Sequence, residues 1–195
     1  MLFYQWFVGF VNQTNIYAFE AAKAIANFSN PWLNYLLSYL AISFLIVLPA
    51  IALYMYIKKD MNVYSFVVAA ILFYVASEII KFIVKEPRPC SVASLNWINS
   101  ISCENSFSFP SNHASVVVGL EFFLSSYKYL RWLYLTWVLL VLFGRVYLGV
   151  HYLSDVVAGV ILSLILYWII NKYKSKINGF ANTVVGKIIP KAAIK

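Results

Sequence analysis

Phe109-Pro110-Ser111-Asn112-His113-Ala114-Ser115 is the stretch from which the fold is read. It lies where a polar loop ends and an apolar run begins. Pro110 and Ser111 are helix-start residues, and the Ser111 hydroxyl can cap the first free backbone N–H groups. A helix N-terminus there offers unpaired donors and a positive dipole end, a seat for an anion such as phosphate. His113 is one of only two histidines. The other, His151, falls in Gly144-Arg145-Val146-Tyr147-Leu148-Gly149-Val150-His151-Tyr152-Leu153-Ser154-Asp155, which also joins two apolar runs. The remaining sequence reads as a scaffold that brings these two stretches together.

Of the 195 residues, 63% are hydrophobic, and the mean hydropathy is +0.78. Soluble domains lie near about 45–50% apolar, so most of this chain belongs in lipid. The net charge of +8 is concentrated between the apolar runs. It therefore concerns orientation and anionic headgroups rather than nucleic acid. Aromatic residues make up 18%, as membrane-interface belts require. No early basic residue followed by an uninterrupted apolar core marks a cleavable signal peptide.

The pattern predicts an all-α integral membrane bundle of about five transmembrane helices in a single domain, 1–195, preceded by an interfacial helix. Residues 1–30 read as an interfacial segment, with Ile16–Phe28 amphipathic around Glu20 and Lys23. Residues 32–170 form the bundle. Its spans are Trp32–Ile57, with a kink expected at Pro49, then Val63–Val84, Asn112–Tyr127, Trp132–Val146 and Val156–Ile170. Residues 171–195 read as a basic tail with a surface helix near Val184–Ile189.

Five spans place the 85–110 and 145–155 loops on one side. Ten of the 15 Lys and Arg residues fall on the opposite side, in the turns at Lys58 and Lys128 and in the tail. By the positive-inside rule, that side and the C-terminus are cytoplasmic, and the two polar loops are external. The N-glycosylation triplets at Asn12 and Asn27 would then also face outward. Cys90 and Cys103 share the long loop, 13 positions apart. In a cytosolic loop they would be free thiols; on the external side a disulfide is expected.

Lys81 and Arg88 are seven residues apart, with Lys85 between them, and Pro87 and Pro89 hold Arg88 in extended backbone. Taken singly, Lys81 also reads as a snorkelling cation paired with Glu78. His151 and Asp155 are four apart, one helical face, where a carboxylate can fix the imidazole tautomer. Singly, they also read as an interfacial histidine and a helix-start aspartate. Together with Arg145, three cations beside a helix N-terminus describe an oxyanion cradle suited to phosphate. Two histidines, one oriented by a carboxylate, supply a nucleophile and a general acid. No Cys, His or carboxylate cluster has metal-ligand spacing. The expected chemistry is phosphoryl transfer through a phosphohistidine, with no metal and no other cofactor.

These residues resemble the three-part signature of the type 2 phosphatidic acid phosphatase (PAP2) superfamily, K-x6-R-P, P-S-G-H and S-R-x5-H-x3-D. The matching segments are Lys81 to Arg88-Pro89, Pro110 to His113, and Gly144-Arg145 through His151 to Asp155, in order and with the family's internal spacings. Asn112 stands where the family has Gly, and Gly144 where it has Ser. The resemblance implies that His151 attacks phosphorus, Asp155 orients it and His113 protonates the leaving oxygen. Lys81, Arg88 and Arg145 would hold the phosphate oxygens, helped by Ser111 and Asn112. It further implies a lipid phosphate substrate in the bilayer of the plasma membrane. A polyprenyl diphosphate of undecaprenyl or dolichyl type, a lipid carrier left after glycan transfer, is preferred to phosphatidic acid or phosphatidylglycerol phosphate. A non-catalytic anionic-lipid-binding or transport protein is the contrasting class. The oligomeric state is not legible.

Overall fold

The computed structural model describes residues 30–92 and 103–188. The interfacial helix expected at Ile16–Phe28 and the two glycosylation triplets lie outside these residues. Among the described residues every regular element is helical. Asn30 starts the first one: its side chain accepts the Trp32 N–H at 2.9 Å, and Pro31 takes the first helical position, where its missing N–H costs nothing. Helix α1 runs Pro31–Ile42 and α2 runs Phe44–Ile57.

The bend between them is 41°, and it lies at Ser43 rather than at the expected Pro49. The Ser43 hydroxyl donates to the Leu40 carbonyl at 2.6 Å and so competes for an acceptor of the helical ladder. The Trp137 indole N–H in turn donates to Ser43 Oγ at 2.9 Å. Pro49 sits inside α2, which continues through it.

Helix α3, Asn62–Val84, has 23 residues, about 35 Å at 1.5 Å per residue. Lys85 ends it in a left-handed conformation, φ 54°, and Pro87 cannot continue it. One helical turn follows at Pro89–Val92. Helix α4, Asn112–Glu121, extends into a 3-10 turn at Phe122–Leu124. Helix α5 runs Lys128–Tyr147, so the basic turn expected at Lys128 is instead its first helical turn. Helix α6 runs unbroken from Leu153 to Ile188, 36 residues, about 54 Å. The fifth span and most of the expected tail are thus one helix, because nothing between Asn171 and Gly179 breaks it. Hydrogen bonds from the Ser65 N–H (3.1 Å) and hydroxyl (2.6 Å) to Asn178 Oδ1 tie its far half to the start of α3.

Three helices, α3, α5 and α6, are long and apolar enough to cross a membrane, and the bent α1–α2 pair makes a fourth candidate. The third expected span, Asn112–Tyr127, is instead the shorter helix α4 with its 3-10 turn, buried against α3, α5 and α6. Ala114, Val117, Leu120 and Leu124 are fully enclosed there, and Phe66, Phe73 and Val138 belong to the same core. The bundle's outer faces carry large apolar side chains such as Ile46, Leu133 and Trp168, the pattern of helices bathed in lipid.

Two close approaches set the position of α4 and α5. A Cβ on Gly159 of α6 would lie 2.7 Å from the Ser111 carbonyl oxygen and 2.8 Å from Ala114 Cβ. A Cβ on Gly144 of α5 would lie 3.3 Å from Leu37 Cβ. At one end of the bundle the α3 C-terminus, the α4 N-terminus and the α5–α6 turn converge. At the other end the Tyr127 hydroxyl donates to Asp60 at 2.9 Å.

Candidate active site

Asp155 is the anchor of the convergent end. It sits in the first turn of α6 and is wholly buried. Its Oδ2 accepts from the Tyr152 N–H at 2.8 Å, from the Ser108 hydroxyl at 2.5 Å and from His151 Nδ1 at 3.2 Å. Its backbone carbonyl accepts the Ser111 N–H at 3.0 Å, which locks the start of α4 onto α6. Ser111 caps α4 through its hydroxyl, which accepts from the Ala114 N–H.

His151 precedes α6 rather than sharing its helical face, so Asp155 reaches back to it across the turn. The histidine tautomer follows from its neighbours. Asp155 can only accept, so Nδ1 carries the proton. Arg88 Nη1, 3.1 Å from Nε2, can only donate, so Nε2 presents its lone pair. Burial, then the charges of Arg145, Arg88, Lys81 and His113, push His151 well below the ordinary histidine value. The resting ring is therefore neutral, as a nucleophile requires.

Arg88 is 1% exposed. It donates to the Val150 carbonyl through Nη1 at 2.8 Å, to the Ser106 carbonyl through Nε at 2.8 Å, and to Ser106 Oγ and Glu104 through Nη2 at 2.7 Å each. The fork is thus held rigid by backbone and hydroxyl acceptors. Arg145, in the last turn of α5, donates to the other oxygen of Glu104 at 2.5 Å, and its Nε has no partner among the described residues. Glu104 therefore bridges the two guanidiniums. Burial opposes its charged form, but Arg145 and then Arg88 outweigh burial and hold its carboxyl below the usual range.

Lys81 is buried, 3.5 Å from Glu78. Glu78 also accepts from Asn112 Nδ2 at 2.5 Å, so the side chain standing in for the family Gly is tied down. Gly144, in place of Ser, permits the contact with Leu37 described above. His113, on the first turn of α4, meets the Phe44 ring edge-on at 4.9 Å. A cavity of about 240 Å³ is lined by Lys81, Glu78, Glu104, Asn112, His113 and His151. Lys85 is not part of it: its ammonium lies 5.2 Å over the Phe82 ring. A disulfide joins Cys90 to Cys103 and fastens the chain just after Arg88 to the residue before Glu104.

The sequence reading gathered Lys81, Arg88, Ser111, Asn112, His113, Arg145, His151 and Asp155. Lys81, Asn112, His113 and His151 line the pocket, Arg88 and Asp155 contact His151, Arg145 is joined to Arg88 through Glu104, and Ser111 caps α4 behind it. The sequence reading missed Glu104, Ser106, Ser108 and Glu86. Only the position of Glu104, beside Cys103, offered a signal.

Comparison with known proteins gives the family and the fold. The PAP2 superfamily model matches residues 62–178, and the chain belongs to that superfamily. It is 38% identical over 89 residues to phosphatidylglycerophosphatase B of Bacillus subtilis, covering 40% of this chain and 44% of that one. It is 30% identical over 122 residues to an undecaprenyl-diphosphatase of Sulfolobus acidocaldarius, covering 59% of this chain and 57% of that one. The chain thus matches about half the length of these relatives. Two crystal structures share the fold at 24% identity. One is the PAP2-type phosphatidylglycerolphosphate phosphatase of Bacillus subtilis, with TM-score 0.69, 90% of this chain and 94% of that one. The other is LpxE of Aquifex aeolicus, with TM-score 0.62, 79% of this chain and 94% of that one.

Proposed function

We propose that the protein is a membrane lipid phosphatase that cleaves a polyprenyl diphosphate to the monophosphate through a phosphohistidine on His151, without a metal. The single observation that carries this reading is the His151 ring, which lines the cavity together with Lys81 and His113, is held at Nδ1 by Asp155, and has Arg88 beside its unprotonated Nε2. In the first step Nε2 bonds to the terminal phosphorus as the P–O bond to the lipid monophosphate breaks. His113 gives its proton to that leaving oxygen. In the second step water attacks the phosphohistidine, His113 takes a water proton, and inorganic phosphate leaves. Asp155 offsets the imidazolium charge throughout, and the three cations stabilise charge on the transferring phosphoryl oxygens.

A lipid substrate is supported by an apolar groove of about 610 Å³ along the outer face of α3. Tyr74, Val75, Ile79, Phe82 and Phe107 line it, and it shares Glu78 and Lys81 with the site. An acyl or prenyl chain lying there would deliver its headgroup to the cations. The Sulfolobus relative's name supports a diphosphate; the Bacillus relative's name supports phosphatidylglycerol phosphate as the second reading. The charge asymmetry and the disulfide support a plasma-membrane protein with the site outside and the C-terminus in the cytoplasm.

The test is inorganic phosphate release in detergent from undecaprenyl diphosphate, phosphatidylglycerol phosphate and phosphatidic acid, with and without EDTA. The expected result is release that favours the diphosphate, survives EDTA and disappears in a folded His151→Ala variant. Binding without hydrolysis would return the protein to the transport or lipid-binding class. Loss of activity in EDTA would refute the metal-free step. Preference for phosphatidylglycerol phosphate would establish the second reading.

A further inference from the structure

Among the described residues, Glu86 is the one buried acid near the site that the proposed chemistry leaves without a task. It follows the left-handed Lys85, is 5% exposed, and is fixed by its carbonyl, which accepts the Ser108 N–H at 2.8 Å. Ser108 is also the residue whose hydroxyl holds Asp155. Neither side-chain oxygen of Glu86 has a donor among the described residues, and neither does Asp155 Oδ1. Ser108 joins the two residues, its N–H donating to the Glu86 carbonyl and its hydroxyl to Asp155 Oδ2, and the Asp155 charge reaches the Glu86 carboxyl. The groups around the pair are His151, Ser108 and the Tyr152 N–H on Asp155 Oδ2, with Arg88 and the Tyr152 ring nearby.

Ionised carboxylates only accept hydrogen bonds. Two of them facing each other in a dry site would leave three acceptor atoms unsatisfied and two like charges adjacent, which is costly. One proton removes the like-charge repulsion and pairs two of the three atoms. It makes one carboxyl a donor and leaves a single negative charge. That charge belongs on Asp155, whose Oδ2 already has three donor groups around it, while Glu86 has none.

We propose that Glu86 is a positioning residue: kept as a neutral acid, it donates its O–H to Asp155 Oδ1 and so fixes the carboxylate that orients His151. Burial, followed by the charge of Asp155, pushes Glu86 up to about 9, so the proton stays through neutral pH. The catalytic pair becomes a line from Glu86 through Asp155 to His151. Asp155 is then held from both sides, by Tyr152 and Ser108 at one oxygen and by Glu86 at the other. The inference rests on the His151–Asp155 roles proposed above, but its test includes a readout independent of turnover.

The experiment compares Glu86→Gln and Glu86→Leu in the full chain. The first keeps a neutral donor at the same reach; the second removes it. Glu86→Leu is expected to lower kcat by about ten- to a hundredfold, the loss of one hydrogen bond to a charged group, with KM little changed because the cations are untouched. Glu86→Gln is expected to restore most of that loss. Infrared difference spectra of parent against Glu86→Gln at neutral pH should show the carbonyl stretch of one protonated carboxylic acid in the parent alone. Parental kcat in Glu86→Leu, an equal defect in both variants, or no protonated acid in the infrared difference would each overturn the proposal. Should Glu86→Leu not fold, the Gln variant and the infrared signal still decide it. Should the protein release no phosphate from any lipid, the infrared signal alone decides whether the proton is there.

Discussion

Glu104 bridges Arg88 and Arg145, where the proposed function requires a phosphate to bind, so Glu104→Gln is a direct perturbation of the proposed cradle. In a dry site each charge-assisted hydrogen bond would contribute about 1.5–3 kcal/mol. The Glu104 side chain is 43% exposed, and screening reduces each ion pair to about 0.5–1 kcal/mol. Displacing Glu104 therefore opposes phosphate binding by about 1–2 kcal/mol, or about five- to thirtyfold in affinity at 1.4 kcal/mol per decade. Gln keeps the size of the side chain and removes the competing charge. Inorganic phosphate should then inhibit the variant at a concentration lower by about that factor, and the gap should narrow as salt is raised. Thermal stabilisation by phosphate gives the same comparison without turnover. An inhibition constant that is unchanged or higher would mean that Glu104 organises the guanidiniums rather than competing for them, and the displacement argument would fail.

Gly159→Ala should destabilise the bundle by about 1–3 kcal/mol, because its Cβ would meet the Ser111 carbonyl at 2.7 Å. A drop in Tm together with reduced activity is expected; an unchanged Tm would contradict the close approach. The His151 value is depressed from 6.5, so the neutral ring persists as pH falls through 6.5. The acid limb of kcat/KM should accordingly lie below 6.5, and a limb at or above it would refute a neutral resting nucleophile. The same sign applies to stability: the unfolded chain takes up the His151 proton first, so that contribution, full above 6.5, declines as pH falls below it. Replacing Cys90 and Cys103 by Ser opens a loop with a sequence separation of 13, worth about 3 kcal/mol in the chain-entropy model. A lower Tm, measured against the oxidised parent, is the expected result.

Local chemistry made part of the site legible in the sequence. Ser111 is a cap by type and position, and it caps α4. Pro87 and Pro89 announce that α3 stops and that Arg88 leaves the helix. The spacing of His151 and Asp155 brings them together even though His151 lies before α6, since a tight turn closes a four-residue gap as well as a helix does. The bend in the first span was misplaced because Pro49 is the conspicuous residue. The break depends instead on where one serine hydroxyl points, which no pattern records. The continuation of α6 past Asn171 was read as a tail because its composition turns polar, although leaving the bilayer changes composition without ending a helix. Glu104 and Glu86 escaped because each acquires meaning only from partners distant in sequence: Arg145 for one, Asp155 for the other. Lys85 lies between Lys81 and Arg88 in sequence but takes no part in the site. The left-handed backbone at that residue carries its side chain away to Phe82.

The central claim is that His151 Nε2 forms the bond to phosphorus. The most direct test is to quench the protein during turnover of a lipid diphosphate labelled in its terminal phosphate, under alkaline conditions that preserve phosphohistidine, and to map the label by mass spectrometry. The account predicts an acid-labile phosphate on the peptide carrying His151, absent from His151→Ala and accumulating in His113 variants slow in the hydrolytic step. Label on His113, or turnover with no label on His151 at any quench time, would contradict it.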